Sequence, residues 1–136
     1  MSQPELFVEA RDKHTAFLPG ETVEFSALWA LPSAPVSLEA RLVWFTRGRG
    51  SDDAEIVRSQ RVPSPSAAGH HVFTFKLPEA PYSFSGKLIS LIWALELVAE
   101  PGAKNARMEF VMSPSRNEIT LVALPDAPRP RQSIFN

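Results

Sequence analysis

The sequence predicts an all-β chain, folded as an antiparallel sandwich of seven to eight strands. Three observations carry that reading. Thirteen prolines are spread over 136 residues, so the stretches between them rarely exceed one strand. No stretch offers a capped apolar stripe at helical spacing over three turns. Apolar–polar alternation recurs instead, punctuated by turn-forming clusters at regular intervals.

The strands follow in order. "ELFVEAR" (5–11) is a short alternating run. "ETVEFSALWAL" (21–31) places Val23, Phe25, Ala27, Trp29 and Leu31 on one face, with Glu24 and Ser26 opposite. "VSLEARLVWFT" (36–46) groups Leu38, Ala40, Leu42 and Trp44 against Glu39 and Arg41. "AEIVRSQRV" (54–62) is a shorter candidate. "HHVFTFKLP" (70–78) sets Phe73, Phe75 and Leu77 against Thr74 and Lys76, and "ARMEFVM" (106–112) sets Met108, Phe110 and Met112 against Glu109. "EITLVAL" (118–124) closes the series. Turn signals separate them, among them "LPGE" (18–21), "LPSAP" (31–35), "RGRGSDD" (47–53), "PSPSAAG" (63–69), "EPGAKN" (100–105) and "SPSRN" (113–117).

The run Leu88–Ala99 needs separate treatment because it is almost wholly apolar. A membrane helix takes about 20 such residues, and this run is shorter and carries Ser90 and Glu96, so no transmembrane segment is expected. As a strand it has one unbroken apolar face, Ile89, Leu91, Trp93, Leu95 and Leu97, and a mixed one. Loss of alternation marks a strand covered on both sides, so this is the expected central strand.

Composition narrows the function classes. The length suits one domain, with a core that needs no staples. Cysteine is absent, which removes disulfides and thiol chemistry and agrees with a reducing, cytoplasmic setting. The amino-terminal "MSQPELFVEARD" shows no basic-then-apolar leader, which adds to that expectation. Net charge is −1 and the basic residues are scattered, so nucleic acid is not an expected partner.

Two stretches carry a resemblance. "FLPGETVEFSALWAL" and, after an intervening strand, "FTFKLPEAPYSFSGKLISLIWALEL" together resemble the arrestin-like family, whose fold is an immunoglobulin-like antiparallel β-sandwich. The pattern residues here are Pro19, Gly20, Glu21 and Val23, then Phe73, Phe75, Leu77, Pro78, Pro81, Ser83, Phe84 and Gly86, with Trp93 and Glu96 in the strand that follows. The motifs describe turns and packing. The resemblance implies a non-enzymatic scaffold or adaptor that binds other proteins, usually built of two such lobes. This chain has length for one lobe, lacks a "PPxY" motif, and offers no phosphate-sensing motif to carry over. Residues 1–124 are therefore expected to form a single arrestin-like domain, and 125–136 a flexible proline-rich tail.

Chemistry is hard to find in the remaining residues. His70 and His71 are neighbours on a strand and so point to opposite faces, unsuited to sharing a metal ion. Asp52, Asp53 and Glu55 share their loop region with Arg47 and Arg49, which reads as a charged hairpin tip rather than a calcium loop. There is no G-x-S-x-G, and no histidine lies near Ser83 or Ser85 in sequence. No catalytic, cofactor or metal residue is expected. A carbohydrate- or small-ligand-binding sandwich is the alternative, but Trp29, Trp44 and Trp93 each share a face with core-type residues.

What is left is apolar surface. Val43 and Phe45 oppose Trp44, Leu28 opposes Trp29, and Leu88 and Ile92 oppose Trp93. If neighbouring strands carry them, they form an exposed patch of the kind that marks an interface. Val43, Phe45, Leu88 and Ile92 are thus the expected contact set for a protein partner, a homodimer in the first instance. Free strand edges are a second route to a partner, and Ile134 and Phe135 in the tail a third.

Overall fold

The computed structural model describes residues 5–50, 53–86, 88–117 and 119–120. Among these are ten strands and no helix: β1 (Glu5–Ala10), β2 (Ala16–Phe17), β3 (Thr22–Ala30), β4 (Ser37–Gly48), β5 (Ala54–Arg61), β6 (Ala68–Lys76), β7 (Phe84–Ser85), β8 (Ile89–Glu100), β9 (Lys104–Met112) and β10 (Ile119–Thr120). They form two sheets that share one core, the predicted sandwich. The tail at 125–136, and with it Ile134 and Phe135, lies outside the described residues.

The smaller sheet has the order β1-β3-β6, all antiparallel. Its inner face is the one the alternation marks: Val23, Phe25, Ala27 and Trp29 of β3, with Phe73 and Phe75 of β6, are all buried. The larger sheet is built around β8. One edge of β8 pairs with β4, which pairs in turn with β5; the other edge is shared end to end by β7 and β9. β2 and β10 add short parallel pairings to β9 and β7. With neighbours on both edges, β8 is the central strand its composition calls for, and it is covered on both faces: Trp93, Leu95 and Leu97 point into the core, while Ala94 and Val98 on the mixed outer side are also buried.

Rings from both layers meet in the middle. Phe110 of the larger sheet lies 5.5 Å from Phe17, 6.0 Å from Phe25 and 6.1 Å from Trp93, centroid to centroid. Such contacts add about 0.5–1.5 kcal/mol each beyond burial. At the end of the smaller sheet Trp29 lies across Gly69, its register partner, where an added Cβ would sit 3.0 Å from the indole.

The resemblance-bearing turns are legible as hydrogen bonds. In "LPGE" the Glu21 N–H donates to the Leu18 carbonyl, with Gly20 at φ +77°, the conformation a type II turn requires after proline. The Glu21 carboxylate turns back to accept the Leu18 N–H at 2.8 Å, and the Glu21 carbonyl accepts the Leu77 N–H at 2.8 Å. In "PYSFSG", Ser83 is buried and makes two bonds to Met112: its N–H donates to the Met112 carbonyl, and its Oγ accepts the Met112 N–H.

Candidate interaction surface

The outer face of the larger sheet carries three of the expected contact residues, and the structure corrects how they are exposed. Val43 is only 7% exposed, while Phe45 and Ile92 are half-buried. The reason lies in the register, which brings Val43, Ala94 and Glu109 into one row and Arg41, Glu96 and Arg107 into the next. Arg107 pairs with Glu96 and lays its guanidinium over the Phe45 ring, 4.7 Å from the centroid. Arg47 approaches the same ring at 5.3 Å and pairs with Glu109, and Arg41 pairs with Glu39. Arginine stems of this kind cover apolar surface while their heads stay wet. What remains open is a shallow depression of about 410 Å³ with Val43 in its lining, bounded by Phe45, Ile56, Glu96 and Arg107. Leu88 is exposed as expected, at 64%, but it precedes β8 beyond this row.

The more open apolar patch is on the other layer. Phe7 and Leu28, each 50% exposed, are direct partners across β1 and β3, and Val72 lies diagonally beside Leu28 on β6. His70, also exposed, pairs with Leu28, while His71 on the opposite face sets its ring tilted against Phe73, 4.7 Å between centroids. An Arg11–Glu24 ion pair at 3.0 Å lies at one end of this face. Sequence reasoning singled out Leu28 but not Phe7 or Val72. The three lie far apart in the chain, and only the strand order makes them neighbours. The one available signal was a polar–apolar inversion: in "ELFVEA" and "HHVFTF" an apolar residue occupies each face.

The tryptophans do not offer a binding platform. Trp93 and Trp29 are buried, and their indole N–H groups donate to the carbonyls of Pro81 and Ser66 at 2.7 and 2.9 Å. Trp44 faces the core and is half-buried. Among the described residues no group of three or more histidine, aspartate or glutamate side chains is placed to hold a metal ion. No helix there is long and apolar enough to cross a membrane.

No protein-family model matches the sequence, and no curated protein matches it. Solved structures do match the fold. Spo0M from Bacillus subtilis, a sporulation control protein of the arrestin fold, superposes with a TM-score of 0.56 at 15% identity over 83% of this chain and 50% of that one. A β-glucosidase from Listeria innocua, solved with gluconolactone, reaches 0.44 at 12% identity over 88% of this chain and 17% of that one, a likeness too low to carry any argument. The chain spans half the length of the Spo0M structure, as one lobe does. The fold is arrestin-like, which is what the "PGE-x-V" and "P-x-S-F-x-G" stretches imply.

Proposed function

We propose that this chain is a non-enzymatic protein-interaction module, a scaffold or adaptor in class, that offers a sheet face to another protein. The observation that carries the reading is the Phe7–Leu28–Val72 patch: large apolar side chains on three adjacent strands, Phe7 directly across from Leu28 and Val72 diagonal to it, turned away from the core. A flat apolar face rimmed by charge suits a macromolecular surface better than a small ligand, which binds in concave sites with convergent polar groups. The Spo0M likeness is in keeping with this through the fold alone. A cytoplasmic setting belongs to the proposal and rests on the cysteine-free composition.

Photo-crosslinking in the native cell tests it. A photoreactive residue at position 28 should give an adduct of discrete mass, abolished by Phe7→Asp on the same chain. The same probe at exposed Lys104 should not. Equal, diffuse labelling from both positions overturns the reading.

A further inference from the structure

We infer that β5 is a self-pairing edge: two copies of the chain join antiparallel through β5, running the larger sheet of one into that of the other. The inference names a second copy of this chain as partner and is independent of the Leu28 face.

β5 is the last strand of the larger sheet, eight residues long and exposed at every position but Val57. Among the described residues no strand pairs with its outer edge. The adjacent edge of the smaller sheet is treated differently. There the β6 carbonyls of Lys76 and Thr74 accept hydrogen bonds from Arg58 Nε at 3.0 Å and Gln60 Nε2 at 2.7 Å. Side chains of β5 thus cap β6 and leave the backbone of β5 itself open, and an open edge is a template for another strand.

Charge selects the occupant. Acids stand at the start of the segment, Asp53 and Glu55, and bases at its end, Arg58 and Arg61. Laid antiparallel on itself, such a strand sets acidic half over basic half twice; laid parallel, it sets like over like. The antiparallel arrangement has two-fold symmetry and closes as a dimer.

The bulge points the same way. Between Leu42 and Val43 the β4–β5 register slips, because Arg58 pairs with Leu42 and Ile56 with Val43, so Val57 is the extra residue. A straight foreign strand loses its face alternation at such a site. A second copy carries the same extra residue, and pairing about the bulge sets Ile56 opposite Ser59 and Ala54 opposite Arg61. All four share a face with their β4 partners Val43, Arg41, Phe45 and Glu39 on the outer side of the sheet. Ile56, 55% exposed, is partly covered as a result.

Sedimentation equilibrium of the full chain over a concentration series is the test, with circular dichroism to verify folding. The expected species is a dimer of the 15.0 kDa chain. Glu55→Arg should weaken it about tenfold, because Arg58 of the second copy lies diagonally across from Glu55 on the same face, and Glu55→Arg with Arg58→Glu should bring it back. Ser59→Pro should abolish it with the fold intact, because the Val62–Leu38 bond sets the ladder phase and leaves the Ser59 N–H pointing away from β4. A wild-type monomer throughout overturns the inference, as does a dimer that ignores the β5 changes and dissociates with Leu28→Asp.

Discussion

The indole N–H of Trp93 donates to the carbonyl of Pro81 at 2.7 Å, tying the fully buried ring at the centre of β8 to the loop that leads into it. Two residues further on, Ser83 clasps the end of β9 through both its N–H and its Oγ. The "PYSFSG" stretch is therefore a strap across one end of the sandwich. It satisfies a buried indole and fastens β7 and β9 where they meet along β8. Buried polar groups of this kind contribute little when paired and cost much when orphaned.

Trp93→Phe should accordingly destabilise more than a ring-for-ring exchange suggests. It leaves a small void and removes the donor to the Pro81 carbonyl, together costing about 2–4 kcal/mol. Trp29→Phe should cost less, because its partner carbonyl belongs to exposed Ser66, which water can reach. Urea titration of both variants measures the difference. Equal losses would mean that the Pro81 bond contributes nothing.

Ser83→Ala keeps the backbone bond to Met112 but removes the oxygen that accepts the Met112 N–H. The expected loss is about 1–2 kcal/mol, against under about 0.5 kcal/mol for Ser59→Ala on the exposed edge. Hydrogen exchange at the Met112 amide reports the site directly. It should speed up in Ser83→Ala by more than the global loss of stability accounts for.

The layers of this fold are visible in the sequence where burial is one-sided. β3 reads correctly because Phe25 and Glu24 answer to opposite solvents, and β8 reads correctly because losing that contrast is itself a signal. The two-residue strands β2 and β7 escape notice, since a period of two needs several repeats to show. The surface was less legible. Val43 looks solvent-facing in "RLVWF", and its cover depends on Arg107 and Glu96 meeting across β8 and β9, a register no local pattern encodes. The Phe7–Leu28–Val72 patch fails for the same reason, being assembled from strands 21 and 44 residues apart.

Gly20→Ala should destabilise through the backbone rather than through collision. At φ +77° an alanine is strained whatever the space, and its Cβ would meet Glu79 Oε2 at 2.5 Å, the movable end of a flexible side chain. The expected cost is about 1–2 kcal/mol. The double variant with Glu79→Ala should recover little of it in thermal unfolding. Full recovery would assign the cost to the contact with Glu79 instead.

Val43 and Ile56 are direct partners across β4 and β5, yet one is 7% and the other 55% exposed, which makes them a matched pair for testing the arginine cover. An aspartate at 43 would carry its charge beneath Phe45 and the Arg107–Glu96 pair, on a face where Arg41, Arg47 and Arg107 are each already paired with a glutamate. An aspartate at 56 can turn to water. Val43→Asp should therefore cost about 3 kcal/mol or more and Ile56→Asp less than about 1 kcal/mol. Chemical denaturation decides between the two accounts of this face. If Val43→Asp leaves stability intact, Val43 is solvent-facing after all, and the arginines rest on the sheet without sealing it.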